Sequence, residues 1–147
     1  MRRDRDFYTR SGGGITLSGG EPLRQHGFCL DVLRQCRDAG LHVAIETSAF
    51  SRWEDLVELL PWLDLVILDI KLMDDAAQRI ATGASNLLIL ENARRLAGAP
   101  VPLQVRTPVV PGVNDTSSLD LLISCPTYDS PVDILRPTVV ESMQVND

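Results

Sequence analysis

Leu65-Val66-Ile67-Leu68-Asp69-Ile70-Lys71 sets four aliphatic residues in a row before a carboxylate and an ammonium. A run so short, apolar at every position, has no polar side to offer water. The sequence therefore predicts a strand over Leu65 to Ile70, covered on both faces by helices or by a barrel interior. Further strands are expected at Ile15 to Ser18, His42 to Thr47, Val101 to Arg106 and Val132 to Leu135. Helical patterns lie between them at Gln25 to Ala39, Arg52 to Leu60, Ala76 to Ala81 with Leu87 to Ala97, and Ser117 to Ser124. Strands alternating with helices specify parallel βα units. Five strands are too few to close an eight-stranded barrel, so the expected fold is α/β, a partial, open parallel (β/α) barrel in a single domain over residues 1–147.

Composition and local chemistry agree. With 147 residues, 44% of them hydrophobic, the chain can bury a core. A net charge of −6 disfavours nucleic acid or an anionic membrane as partner. No apolar stretch reaches the roughly 18 residues of a membrane span, and none follows the charged N-terminus to make a signal peptide, so a cytosolic protein is expected. Cys29, Cys36 and Cys125 suggest neither disulfides nor a zinc site. Cys29 and Cys36, two turns apart on a helix, are expected to be buried thiols. Ser51-Arg52-Trp53-Glu54 fits a capping box, and Gly40 and Gly98 stand where left-handed residues would end helices.

Residues able to do chemistry collect at the carboxyl ends of the strands, the edge where parallel α/β folds place their sites. Ser18-Gly19-Gly20-Glu21 follows the first strand, Glu46-Thr47-Ser48 ends the second, Asp69-Ile70-Lys71 the third and Arg106 the fourth. Adjacent glycines let a ligand approach the main chain, and Glu21 offers an acceptor for a cationic amine. Thr47 and Ser48 suit either a site or the cap of a following helix. Alternation puts Asp69 and Lys71 on one face, where each is expected to favour the other's charged form, either around a ligand or as a structural ion pair. Arg106 suits a ligand carboxylate or a surface salt bridge. Asn114 and Asp115 are expected to begin a helix. His26 and His42 read as structural.

Taken in order, these segments resemble the radical S-adenosylmethionine enzymes, and among them the activating enzymes of glycyl radical enzymes such as pyruvate formate-lyase. The resemblance runs through Phe7-Tyr8 with Ser11-Gly12-Gly13-Gly14, Ser18 to Leu23, Glu46-Thr47-Ser48, Asp69-Ile70-Lys71 and Thr82-Gly83. It continues with Asn86, Ile89-Leu90, Asn92 and Arg106 to Asp115. It implies that Ser18, Gly19, Gly20 and Glu21 receive the amino group of S-adenosylmethionine. It further implies that Glu46, Thr47 and Ser48 lie beside the methionine portion, with Glu46, Thr47 and Asp69 able to hold a monovalent cation. Lys71 and Arg106 would approach the cofactor, Asp69 and Lys71 standing nearest the reaction. A 4Fe-4S cluster, a glycyl radical enzyme partner of the pyruvate formate-lyase kind and an electron donor such as flavodoxin or ferredoxin are likewise implied.

The sequence departs from that family in four respects. Ala49 replaces a glycine, which strains the corner only if φ there is positive. Gln78 stands where relatives often carry histidine, and Leu135-Arg136-Pro137-Thr138 only loosely resembles the family's tail. The Cys-x3-Cys-x2-Cys loop that ligates the cluster is absent from these residues. The chain is thus expected to be the central and C-terminal part of a radical S-adenosylmethionine barrel, without its first strand and cluster loop and inactive in isolation. A non-catalytic binding remnant or a conventional α/β acid–base enzyme would be the alternatives.

Overall fold

Val43, Ile45, Val66, Leu68 and Val105, alternate residues on three adjacent strands, are sealed from solvent. They define the packed face of a sheet in a computed structural model that describes Tyr8, residues 13–110 and Asn114. The sheet has four strands in the order β1 (Gly14–Leu17), β2 (His42–Thr47), β3 (Leu65–Asp69) and β4 (Leu103–Arg106), every neighbouring pair parallel. It is the open parallel α/β sheet expected. The fifth strand, the helix at residues 117–124 and Cys125 lie outside the described residues.

Each connection returns through helix. A 3₁₀ turn (Pro22–Gln25) and α1 (His26–Asp38) link β1 to β2, and α2 (Trp53–Leu59) links β2 to β3. Between β3 and β4 come α3 (Asp75–Thr82) and α4 (Leu87–Ala97). Helix α1 buries Cys29, Leu30, Leu33 and Cys36, while α4 buries Ile89, Asn92, Ala93 and Leu96, spacings that bring one stripe onto the sheet. Both cysteines are buried thiols, as expected, and burial pushes their pKa up. Among the described residues no helix is long and apolar enough to cross a membrane.

Register separates the sheet's two faces. Residues paired across parallel strands share a side, so Ile45, Val66 and Leu103 lie together, as do Thr47, Leu68 and Val105. The opposite face carries Thr16, Ala44, Glu46, Ile67, Asp69, Gln104 and Arg106. Ala44 and Ile67 are buried there, yet they stand apart from the main apolar cluster. The helices thus cover one side, and the polar side faces what would be a barrel interior.

Local expectations fare unevenly. Gly40 takes a φ of +70° and ends α1 as expected. Gly98 has a φ of −92°, open to any residue, and α4 ends instead in a tightened turn with Gly98 N–H on Arg95 O. The left-handed stop belongs to Gly83, at φ +78°, after α3. The capping box at Ser51 does not form: Arg52 occupies the N-cap, and the Ser51 hydroxyl donates to Arg52 O. Strand β4 begins at Leu103 rather than Val101, because Pro102 has no N–H to give, though its carbonyl still accepts Val66 N–H at 2.9 Å.

Candidate functional site

After Leu17 the chain turns through Ser18, Gly19 and Gly20, all exposed. Gly19 adopts φ +119°, a conformation essentially confined to glycine, and a Cβ built on Gly19 or Gly20 would meet nothing within 4 Å. Backbone geometry requires the first glycine, and open space fronts both. The turn delivers Glu21 to the end of β2. Its Oε1 accepts from the Thr47 hydroxyl at 2.6 Å and from Leu23 N–H at 3.3 Å. Its Oε2 accepts from Ser48 N–H at 3.0 Å and the Ser48 hydroxyl at 2.6 Å. A carboxylate offers about four acceptor positions, and all are engaged. Glu21, expected to meet an amine, is thus the clasp between the ends of β1 and β2.

The same bonds decide the role of Thr47 and Ser48. Their hydroxyls serve Glu21 rather than the opening of α2. Thr47 Oγ1 also accepts Ala49 N–H at 2.9 Å, closing a sharp bend. Ala49 is fully buried with φ +56°, so the strained alternative for this position is the observed one. An L-residue in that region costs about 1–2 kcal/mol.

On the polar face Glu46 pairs with Ile67 in register and Asp69 with Arg106, so the three charged side chains occupy one side at successive strand ends. Asp69 is half-buried. Its carboxyl is pushed above the ordinary range, first by burial and then by Glu46, against the opposing pull of Arg106 and Lys71. Lys71 does favour the charged form of Asp69, as expected, but it does not decide the balance. Desolvation and a second carboxylate outweigh the ammonium. Neither Lys71 nor Arg106 has a carboxylate at ion-pair distance among the described residues. Arg106 Nε is buried without a hydrogen-bond partner among the described residues.

Beside these groups lies a cavity of about 160 Å³ lined by Ser48, Phe50, Asp69, Lys71, Gln78 and Thr82, among others. Gln78 is buried in its wall and donates through Nε2 to Thr82 Oγ1 at 3.0 Å. The thiols are elsewhere. Cys29 Sγ donates to Pro22 O at 3.0 Å and Cys36 is sealed in the core. Among the described residues no three His, Cys, Asp or Glu side chains are grouped to hold a metal ion. His42 is exposed at the start of β2, the far end of the strand, and His26, opening α1, stands 3.3 Å from the Glu58 carboxylate.

Three buried asparagines complete the surroundings. Asn92 Nδ2 donates to Ala49 O and Ser51 O, both at 2.9 Å, and Asn86 Nδ2 to Leu72 O and Met73 O, both at 2.8 Å. Asn114 Nδ2 reaches Lys71 O and Pro108 O, both at 2.8 Å, and its Oδ1 accepts Val110 N–H. Asn114 thus ties the ends of β3 and β4 together, and the helix expected to begin near it lies outside the described residues. Asn92 could have been found from the sequence, because it interrupts the apolar stripe of Ile89, Ala93 and Leu96.

Comparison with known proteins places this arrangement. Over 120 residues the chain is 48% identical to the isethionate sulfite-lyase activating enzyme of Nitratidesulfovibrio vulgaris, covering 80% of this chain and 39% of that protein. It is 39% identical over 123 residues to the trans-4-hydroxy-L-proline dehydratase activating enzyme of Clostridioides difficile, covering 82% of this chain and 41% of the relative. The chain thus spans about two fifths of the length of these relatives. A solved domain of pyruvate-formate lyase-activating enzyme from Bacteroides vulgatus is similar in structure, with a TM-score of 0.69 and 36% identity over 78% of this chain and 74% of that one. The model of the Radical SAM superfamily matches residues 5–122, and the chain belongs to that superfamily.

Proposed function

We propose that this chain carries the S-adenosylmethionine site of a glycyl radical enzyme activating enzyme. The observation that carries the proposal is the Glu21 clasp, which joins the Gly-Gly turn to the Thr47-Ser48 corner at the strand-end edge that also carries Lys71 and Arg106, neither with a carboxylate at ion-pair distance among the described residues. The groups suit the ligand. Exposed main chain at Ser18, Gly19 and Gly20 can accept from an ammonium, with Glu21 fixing the turn and adding negative charge nearby. Lys71 and the Arg106 guanidinium, whose Nε lacks a partner among the described residues, suit a carboxylate. Thr47 and Ser48 border the methionine portion. Glu46 and Asp69, sharing a face, can hold a monovalent cation, whereas Thr47, on the other face with its hydroxyl engaged by Glu21 and Ala49 N–H, is left to support the corner. Asp69 and Lys71 border the reacting end.

The cluster is a different matter. Neither described cysteine is placed to share an iron–sulfur core, and the sequence has no Cys-x3-Cys-x2-Cys spacing, so no step through a cluster is assigned to these residues. In such an enzyme a 4Fe-4S cluster would supply the electron that cleaves S-adenosylmethionine to methionine and a 5′-deoxyadenosyl radical, which takes hydrogen from a glycine of the partner. Cofactors carry that chemistry, and the chain's part is to bind and orient. The partner class is a glycyl radical enzyme, of the pyruvate formate-lyase kind, with flavodoxin or ferredoxin as electron donor. The named relatives and the similar solved domain support that class.

Calorimetric titration of the chain with S-adenosylmethionine tests the site. Saturable one-to-one binding is expected, weakened about tenfold in Lys71→Ala or Arg106→Ala with circular dichroism unchanged, the usual scale for one charge-assisted bond. A folded wild-type chain that binds no ligand would sink the proposal. Anaerobic reconstitution with iron, sulfide and a reductant should yield no 5′-deoxyadenosine, whereas cluster-dependent product would overturn the reading that these residues ligate no cluster.

A further inference from the structure

Ala49 poses a physical problem that its own neighbours solve only on one side, where Thr47 Oγ1 accepts its N–H at 2.9 Å. It is sealed in the core, holds φ +56° and directly follows Ser48, whose N–H and hydroxyl grip Glu21. Relaxation of Ala49 to an ordinary φ would swing its peptide groups and pull Ser48 off the carboxylate. The carbonyl side of the bend is held from outside. Asn92, in the middle of α4 and 1% exposed, is placed to do so. Its single amide nitrogen gives one hydrogen to Ala49 O and the other to Ser51 O, each at 2.9 Å and across 43 and 41 positions of chain. These carbonyls flank Phe50, so the two bonds fix the path of the bend on either side of it. The Asn92 Oδ1 is buried without a partner among the described residues. The residue is oriented for its donors alone, and an unmet buried acceptor is a cost a helix would shed by carrying leucine there.

We infer that Asn92 is a positioning residue for the ligand corner, holding Ala49 left-handed so that Ser48 and Thr47 present Glu21 to the Gly-Gly turn. The connection runs from α4 through Ala49 and Ser51 to Ser48, then to Glu21 and the Leu23 amide, linking four segments through named hydrogen bonds. Asn86 makes the same pair of carbonyl bonds to the loop after β3, with equal burial, but touches no residue of this corner. It is the internal control.

The inference rests on the proposed S-adenosylmethionine site for its functional meaning, and residue-resolved amide exchange separates the two. In Asn92→Ala, protection of the Ser48 amide should fall about tenfold, the factor expected for losing one to two hydrogen bonds, while Leu68 in β3 changes by less than about twofold. Asn86→Ala should leave Ser48 protected. In an Ala49→Gly background, where the bend is open to glycine without strain, Asn92→Ala should cost Ser48 distinctly less protection, a coupling that loss of global stability would not produce. That double variant, compared with Ala49→Gly, also serves if Asn92→Ala does not fold alone. Affinity for S-adenosylmethionine should fall with Ser48 protection across the set. Wild-type protection of Ser48 in Asn92→Ala, or an equal loss in Asn86→Ala, would overturn the inference. Failure of wild-type chain to bind S-adenosylmethionine would refute the function and leave the exchange result to decide the positioning.

Discussion

Ser48 is bonded to Glu21 twice, through its main-chain N–H at 3.0 Å and its hydroxyl at 2.6 Å, across 27 positions of chain. The other carboxylate oxygen takes the Thr47 hydroxyl and the Leu23 amide. Glu21→Gln keeps the size of the side chain and turns one acceptor into a donor facing donors. Leaving such groups unmet in a half-buried setting costs about 1–3 kcal/mol. Urea denaturation should show a loss in that range. Equal midpoints for the variant and the wild type would mean that the clasp is absent in solution.

Asp75, in the first turn of α3, accepts from the Ser85 hydroxyl, from Arg79 Nε at 2.8 Å and from Asn86 N–H at 3.0 Å. Ser85 first, then Arg79 and the Asn86 amide, hold its carboxyl down at about 2. The folded chain then releases this proton more readily than the unfolded chain, whose carboxylate titrates near the ordinary value of about 4. The stabilisation is full above that value and is lost as pH falls toward about 2. Asp75→Asn should be less stable than wild type at neutral pH and converge with it in acid. A difference that ignores pH would show the bonds to be neutral in effect.

Gly14 opens β1 opposite His42, and a Cβ on it would lie 2.0 Å from His42 O and 2.7 Å from the adjoining carbonyl carbon. Main chain cannot step aside as a side chain can. Gly14→Ala should therefore push the start of β1 off β2, at the about 1–3 kcal/mol typical of overpacking. Because β1 carries the turn leading to Glu21, Ser48 amide exchange should quicken as well. Unchanged stability together with unchanged exchange would count against the close approach.

What was legible in the sequence had local causes. The aliphatic run of β3 and the alternation of strand and helix announced the parallel sheet, and its topology then required Glu21, Glu46, Asp69 and Arg106 to collect at one edge. Long-range hydrogen bonds were not legible. Glu21 looked like an open acceptor because nothing near it in sequence reveals that Thr47 and Ser48 fill it. The sign of φ at Ala49 was undecidable for the same reason, since Asn92 acts from 43 positions away. The Ser51 capping box failed because local spacing alone could not show that Asn92 takes the Ser51 carbonyl while Arg52 opens α2 beside Asp55. Alternation puts Asp69 and Lys71 on one face and says nothing of burial or of Glu46 on the neighbouring strand.

Asp69 behaves oppositely to Asp75. Burial first and Glu46 second raise its carboxyl above the ordinary range, so the folded chain keeps this proton to a higher pH than the unfolded chain does. Stability therefore falls as pH rises from the ordinary carboxylate value through the raised folded one, and the deficit persists at neutral pH. Asp69→Asn removes the charge with little change of shape. The variant should be more stable than wild type at neutral pH, and the gain should vanish below the ordinary carboxylate value, where both states are protonated. Glu46→Gln should reproduce part of it by removing the second cause of the shift. A residue that weakens its own fold at working pH needs another reason to be there, and functional sites commonly supply it. Asp69→Asn should accordingly bind S-adenosylmethionine less tightly while resisting urea better. A variant no more stable than wild type at neutral pH would show that Lys71 and Arg106 neutralise Asp69 in solution after all.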